Sequence, residues 1–198
     1  MIKAQLSKYL MWLLVSMMFS TVSFVNAQSL KINPASSTIT IYGTSNLHDW
    51  ETKVGQINGE FVVNSSKQIQ SLVVKIPVSS LKSGEKLMDK KTYEAFDTDK
   101  NPTIIFQITE PITPLITDNK DVQVTLTGNL SIASVSKKIS FKSTGKITNT
   151  GAYQFIASVP LKMTDFKIKP PTALLGTVKA GDAITLKFDV TILAQNML

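Results

Sequence analysis

The sequence predicts an all-β fold, a single antiparallel domain of about eight strands. Three observations support this prediction: apolar and polar residues alternate along most of the chain, turn-forming residues separate the alternating runs, and one segment after residue 27 has helical periodicity. The alternation is clearest over residues 121–132, where Val122, Val124 and Leu126 are separated by glutamine and threonine. A strand of this kind buries one face and leaves the other in water.

The same alternation recurs before and after this segment. Its inward positions are almost wholly apolar, and include Ile39, Ile41, Ile57, Phe61, Val63, Leu72, Val74, Ile76, Val78, Ile104, Phe106, Ile108, Ile139, Phe141, Phe155, Ala157, Val159, Ile184, Leu186, Phe188 and Val190. Turn-forming residues at 64–66 and 149–151 predict hairpin connections, and residues 143–145 are also rich in turn formers. Neighbouring strands should therefore pair antiparallel.

The spacing predicts a helix over residues 83–96, with Ser83 as its N-cap. One face of this helix carries Leu87, Met88, Lys91, Thr92, Ala95 and Phe96 at intervals of three and four residues. Between Lys162 and Asp182 the alternation fails and prolines and glycines appear, which predicts a long loop between the last two strands. Loops of this length are often functional.

The first 27 residues have the pattern of a secretory signal peptide. Lys3 and Lys8 precede an apolar run over residues 9–19, and Val25-Asn26-Ala27 supplies the small residues of a cleavage site. We expect cleavage after Ala27, which leaves residues 28–198 as one domain, periplasmic or secreted. The chain has no cysteine, so the sequence predicts neither a lipid anchor nor disulfides.

The charge does not favour nucleic-acid binding. The chain carries a formal net charge of +7, and all of its basic residues are lysines. Bidentate recognition of phosphates and bases favours arginine, and these lysines are scattered along the strands. Outward positions such as Lys75, Gln123 and Lys187 are polar, which also argues against a barrel inserted in a membrane.

No catalytic or metal-binding constellation is predicted. His48 is the single histidine, and zinc would need more nitrogen or sulfur ligands than the chain offers. Residues 97–101 begin like a calcium loop, but Pro102 and Ile108 stand where glycine and glutamate are required. For His48 and Asp165, a structural role or contact with a ligand head group is the better interpretation.

The apolar interior has two interpretations. An eight-stranded barrel is near the size at which the interior is either filled by its own side chains or holds one small ligand. The pattern alone favours the filled core, because alternation does not measure a cavity.

Several segments together resemble the YceI-like family of exported lipid-binding proteins. The most specific match runs from Val73 to Phe106 and includes Ser80-Leu81-Lys82-Ser83-Gly84, Met88-Asp89, Thr92-Tyr93-Glu94-Ala95-Phe96-Asp97 and Asn101-Pro102-Thr103-Ile104-Ile105-Phe106. Supporting matches are residues 43–50, residues 59–61, Gly128-Asn129-Leu130-Ser131-Ile132 before Lys138, and Asp165-Phe166. The resemblance covers residues 28–198 almost end to end.

The resemblance implies a lipocalin-like barrel with a helical cover and an elongated apolar tunnel that takes polyisoprenoid chains, such as quinone tails, or fatty-acid derivatives. Together with the inward positions, it predicts ligand contacts for Phe61, Val74, Ile76, Met88, Phe96, Phe106, Leu126, Phe141, Phe155, Phe166 and Phe188. It predicts head-group contacts for His48, Trp50 and Asp165. The lipid would be held without a covalent bond, and no other cofactor is implied.

The chain departs from the family pattern in two places. Ala133-Ser134 stands where the family commonly has histidine and glycine, and Lys167 stands where glycine is usual. Both departures lie near strand ends, so they bear on the head group and on the long loop.

The leading functional hypothesis is therefore an exported, non-catalytic carrier of a polyisoprenoid or similar amphiphile, without stable membrane insertion. The alternative is an exported structural or interaction domain with a filled core and no ligand. The sequence leaves open whether two barrels pair as a homodimer.

Overall fold

The barrel is antiparallel and has eight strand positions. At three of these positions, the strand is broken into two consecutive shorter strands. The computed structural model describes residues 28–113 and 115–194, so the predicted signal peptide at residues 1–27 lies outside it. The strands are β1 (Gln28–Ile32), β2 (Thr38–Ser45), β3 (Trp50–Val54), β4 (Asn58–Val63), β5 (Ile69–Pro77), β6 (Leu81–Lys82), β7 (Thr103–Ile108), β8 (Val122–Ile132), β9 (Val135–Ile147), β10 (Tyr153–Lys162), β11 (Thr172–Ala173) and β12 (Val178–Ala194). One α-helix, α1 (Lys86–Phe96), lies between β6 and β7.

The barrel closes because β12 pairs with β1 as well as with β10. The closed order is β1-β4-β5-β7-β8-β9-β10-β12, and each strand pairs antiparallel with its neighbours. The predicted all-β antiparallel fold with eight strand positions and one helix is confirmed. The hairpins at residues 64–66 and 149–151 are confirmed as well, because β4 pairs with β5 and β9 pairs with β10.

The two parts of each broken strand lie end to end along the barrel, and one part of each lies at the same end. β1 pairs with residues 192–194 of β12, while β2 pairs with residues 180–189 of the same strand, so β1 and β2 lie end to end. β3 and β4 have the same relation, and a 3-10 turn at Val78–Ser80 joins β5 to β6. We call the end formed by β2, β3, β6 and α1 the upper end, and the remainder the lower half.

Helix α1 covers the side of the upper end between β6 and the β8–β9 hairpin. Tyr93, Ala95 and Phe96 pack against a buried cluster that includes Leu81 of β6 and Leu130 of β8. The Tyr93 hydroxyl group lies 2.8 Å from the Leu81 carbonyl oxygen, to which it donates, and the Lys82 ammonium group donates to it at 2.6 Å. These bonds attach the C-terminal part of the helix to β6.

The lower half contains a cluster of buried apolar side chains. Phe61, Ile69 and Ile192 are each at most 1% exposed, and Phe155 and Tyr153 pack in the same cluster. Phe106, Phe141 and Phe188 are partly buried against it, with centroid distances of 5.7 Å between the first two rings and 6.0 Å between the last two.

The predicted start of the helix at Ser83 is wrong. Gly84 adopts a left-handed φ of 86°, and the helix begins at Lys86 after Glu85, so Ser83 is not its N-cap. The Ser83 hydroxyl group instead donates to Asp89 Oδ1 at 2.7 Å and accepts from the Glu85 backbone N–H at 3.1 Å. Ser83 therefore braces the turn that precedes the helix.

The predicted turn at residues 143–145 is also wrong, because β9 continues to Ile147. Ser143 is buried, and its hydroxyl group donates to the Ile156 carbonyl oxygen at 3.0 Å. A side chain at Gly145 would lie 3.2 Å from the Phe155 ring. Serine and glycine stand here because neighbouring side chains leave little space.

The loop predicted between Lys162 and Asp182 is shorter and more ordered than expected. It contains two 3-10 turns, Met163–Phe166 and Leu174–Gly176, and the short strand β11. β12 begins at Val178, before the predicted Ile184, and its register with β2 shifts between Ala180 and Ile184.

Candidate functional site

A cavity of about 200 Å³ lies at the upper end, between α1, the barrel strands and the loop that follows β10. For comparison, an engineered apolar cavity of about 150 Å³ binds benzene. The wall contributed by the strands and the loop is largely aliphatic, and its apolar side chains are Ile41, Leu81, Ile132, Leu161, Met163, Phe166, Ile168, Val178 and Ile184. Such a site favours an apolar chain over a polar solute.

The helix forms the remaining wall. The six residues predicted to share one helical face, from Leu87 to Phe96, all line the cavity. None of the residues of α1 is buried, because this face meets a cavity and not a packed core. The amphipathic face predicted from the sequence is thus directed toward the candidate site.

Polar side chains are the minority in this lining. They belong to Ser45, His48, Thr52, Glu85, Lys91, Thr92, Lys162 and Thr172, of which His48, Glu85, Lys162 and Thr172 are exposed. Lys91 also pairs with Glu94 at 2.7 Å, and this contact lowers the pKa of the Glu94 carboxyl group. Thr52, which is 4% exposed, brings a hydroxyl group to the buried part of the wall.

Trp50 is held in the wall by two neighbours. Gly43 lies opposite it in the β2–β3 pair, and a side chain at Gly43 would approach the indole ring to 2.1 Å. Glycine is therefore required here for close approach of the ring to the backbone. The indole N–H donates to the Thr44 carbonyl oxygen at 2.8 Å, which fixes the orientation of the ring.

Two of the three predicted head-group residues lie at the cavity. Trp50 and His48 both line it, although the indole N–H is already used by Thr44. His48 Nδ1 lies 2.7 Å from the Asp49 carbonyl oxygen. Since a carbonyl oxygen only accepts, Nδ1 is the donor and Nε2 is the ring atom available to a head group.

The third predicted head-group residue lies elsewhere. Asp165 does not line the cavity and forms an ion pair with Lys137 at 3.0 Å on the surface. Its neighbour Phe166 is 2% exposed and does line the cavity. The 3-10 turn therefore directs the aromatic ring inward and the carboxylate outward.

The predicted ligand contacts divide into two groups. Met88, Phe96 and Phe166 line the cavity. The others lie outside its lining, in or against the core clusters, and they are Phe61, Val74, Ile76, Phe106, Leu126, Phe141, Phe155 and Phe188. Their contact with a ligand stays a prediction.

Asp182 holds the turn that carries Met163 and Phe166. Its carboxylate accepts from the Thr164 backbone N–H at 2.9 Å and from the Thr164 hydroxyl group at 2.7 Å. These two hydrogen bonds, the backbone bond above all, lower the pKa of Asp182. This tether could not be predicted from the sequence, because no local pattern links residues that lie 18 positions apart.

The two departures from the family pattern coincide with unusual backbone. Ala133 and Ser134 form the two-residue turn between β8 and β9 and have φ values of 46° and 65°, and Lys167 has a φ of 57°. Glycine adopts this left-handed conformation at little cost. In this chain the three non-glycine residues keep the same conformation.

Within the described ranges, no group of three or more His, Cys, Asp or Glu residues could hold a metal ion. Nor do those ranges contain a helix long and apolar enough to cross a membrane.

The family model of the YceI-like domain matches residues 30–192. The chain belongs to the YceI-like family. The match spans the barrel from β1 to β12, so it includes every residue that lines the cavity. No curated protein matches this YceI-like chain.

Solved structures share the fold of this YceI-like domain. A polyisoprenoid-binding domain from Saccharophagus degradans, implicated in plant cell wall breakdown, superposes with a TM-score of 0.68 at 10% identity over 84% of this chain and 99% of its own. BcnA from Burkholderia cenocepacia gives 0.65 at 18% identity, over 81% and 98%. A YceI protein from Campylobacter jejuni gives 0.55 at 21% identity, over 71% and 82%.

Proposed function

We propose that this protein binds a polyisoprenoid or a similar long-chain amphiphile in the cavity at the upper end and carries it without catalysing a reaction. The observation that carries the proposal is the apolar cavity of about 200 Å³ beneath the amphipathic face of α1. The similarity in fold to a solved polyisoprenoid-binding domain supports the same ligand class.

The arrangement of the site suits an amphiphile. Each methylene group that leaves water contributes about 0.8 kcal/mol, so an apolar chain is retained by burial alone. The hydroxyl, imidazole and ammonium groups near the cavity can orient one polar head. No covalent step is needed, and the role proposed for His48 is a contact with the head group.

The proposal includes export of the protein from the cytoplasm. The signal-peptide pattern of residues 1–27 supports export to the periplasm or the medium, where an apolar chain needs shielding from water. We include this location in the proposal. N-terminal sequencing of the protein from its native cells should begin at Gln28, and an intact N-terminus would contradict export by cleavage.

Trp50 provides a direct binding assay. It lines the cavity and is the one tryptophan of residues 28–198, because the other of the chain's two is Trp12. Titration with geranylgeraniol or oleic acid should shift the emission of Trp50 at micromolar concentrations. Mass spectrometry of solvent extracts should show a co-purified lipid in protein isolated from its native cells.

A variant that fills the cavity tests the site, and the same substitution at an exposed position is its matched control. Ala95→Phe places a ring on the face of α1 that lines the cavity, and should weaken binding at least about tenfold. Ala35→Phe introduces the same ring at an exposed position outside the cavity and should bind normally. If neither ligand binds the wild-type protein and extracts contain no lipid, the alternative of a ligand-free interaction domain is favoured.

A further inference from the structure

Four of the seven large apolar side chains that are exposed among the described residues lie on or beside segments that line the cavity. They are Leu47, Leu87, Leu174 and Leu175, with exposures of 68%, 50%, 66% and 109%. Apolar surface concentrated at one place is more informative than single exposed residues scattered over a protein.

The four leucines belong to one rim. Leu87 lines the cavity, Leu47 precedes the lining residue His48, and Leu174 follows the lining residue Ala173. Asn46 joins two of these segments, because its side chain donates to the Thr177 carbonyl oxygen at 2.9 Å and accepts from the Lys179 N–H at 2.7 Å. Leu47 therefore lies in a loop that is hydrogen-bonded to the segment after Leu174 and Leu175.

The conformation of the 3-10 turn keeps two leucines exposed. Leu174 and Leu175 have φ values of 48° and 56°, in the left-handed region that leucine rarely adopts. The Leu174 carbonyl oxygen accepts both the N–H of Thr177 at 3.1 Å and its hydroxyl group at 2.8 Å. This turn holds a Leu-Leu pair in water instead of packing it on the barrel.

The loop that carries Leu174 and Leu175 is basic, whereas Glu85 and Asp49 bring acidic groups to the two other segments. Residues 162–179 include four exposed lysines, Lys162, Lys167, Lys169 and Lys179, and one acidic residue. That residue, Asp165, is already paired with Lys137. Exposed apolar side chains flanked by lysines are suited to the interface of a bilayer that contains anionic lipids.

We infer that the rim of Leu47, Leu87, Leu174 and Leu175 docks on the surface of an anionic lipid bilayer, with the cavity mouth facing the membrane. The leucines insert at the level of the head groups and the lysines contact lipid phosphates. A lipid can then pass between bilayer and cavity without crossing water. The inference goes beyond ligand binding, because docking does not require an occupied cavity.

Vesicle sedimentation tests this inference. The protein beginning at Gln28 is suitable, since residues 28–194 contain the complete closed ring of strands. Vesicles of equal parts phosphatidylglycerol and phosphatidylcholine should sediment it, and vesicles of phosphatidylcholine alone should sediment it less. Raising NaCl from about 0.1 M to about 0.5 M should release much of the bound protein, because salt screens the lysine contacts.

Leucine variants distinguish vesicle binding through the rim from nonspecific binding through any exposed apolar side chain. Leu174→Asn combined with Leu175→Asn should reduce the partition coefficient at least about tenfold. Leu115→Asn is the control, because Leu115 is 47% exposed but lies outside the cavity rim. Equal loss in both variants, or no binding of the wild-type protein to anionic vesicles, would overturn the inference.

The outcome is independent of the proposed function. If the wild-type protein shows the Trp50 shift with geranylgeraniol but does not bind vesicles, the docking inference fails and the carrier proposal stands. Analytical ultracentrifugation excludes another explanation: if the double leucine variant converts a dimer to a monomer, the rim pairs two copies of the chain and membrane docking is overturned.

Discussion

The lower half and the upper end of this barrel use the same alternation of residues for different purposes. In the lower half, Phe61, Ile69 and Ile192 are at most 1% exposed and belong to one buried apolar cluster. At the upper end, α1 replaces a strand wall, has no buried residue and lines a cavity of about 200 Å³. The buried core and the candidate cavity therefore lie in separate parts of one continuous sheet.

The strongest loss of stability is expected from a substitution in the lower half. Phe61→Ala should lower the free energy of unfolding by about 3–5 kcal/mol, because it removes a ring from a closely packed core. Phe96→Ala at the cavity should cost less, about 1–2 kcal/mol, since Phe96 is half-buried. Chemical denaturation measures both; similar values for the two variants would abolish the distinction between the halves.

The contact between Gly43 and Trp50 should give a smaller effect. Gly43→Ala forces the indole ring out of the cavity wall, and should cost about 1–3 kcal/mol and shift the emission of Trp50 to longer wavelength. In a Trp50→Ala background the same change should be nearly neutral, because the ring is absent. An undiminished cost in that background would show that the ring is not the cause.

A stabilising change is expected in the loop. Lys167→Gly should raise the free energy of unfolding by about 0.5–1 kcal/mol, because Lys167 has a φ of 57° that glycine adopts more easily. Lys169→Gly is the control, since Lys169 is not among the residues with positive φ and glycine there should destabilise. Thermal unfolding compares the two; a gain in both would point to charge and not to backbone conformation.

The smallest expected effect is local and depends on pH. The pKa of Asp182 is lower in the folded protein than its ordinary value, so its bonds to Thr164 are present above about pH 4 and are lost as the pH falls through the lowered pKa. Asp182→Ala should speed hydrogen exchange at the Thr164 amide at neutral pH. Unchanged exchange there would mean that Asp182 does not hold this turn.

Much of the fold could be predicted from the sequence because the signals are local. Alternation identified the long strands, and the residues of α1 that line the cavity follow from helical periodicity alone. The errors have local causes too. Gly84 adopts a left-handed conformation, so the helix begins only at Lys86. Ser143 and Gly145 are of types that also form turns, but here they lie within a strand and are small because Ile156 and Phe155 are close.

The candidate site was harder to predict because it depends on contacts between distant segments. Alternation marks Phe61 and Ile41 alike as inward, but only the closed structure shows that Phe61 lies in the buried apolar cluster and Ile41 beside the cavity. Met163 lies beyond the last residue of β10, where strand periodicity no longer applies. The tether from Asp182 to Thr164 leaves no sequence signal.

The position of a bound lipid chain distinguishes binding at the upper end from binding in the lower core. A crystal structure of the protein with a bromine-labelled geranylgeranyl alcohol locates the ligand by the anomalous signal of bromine. We predict a bromine peak between α1 and Ile41, Trp50 and Phe166, with the lower core unchanged. A peak among Phe61, Phe155 and Ile192 would contradict the assignment of binding to the upper end.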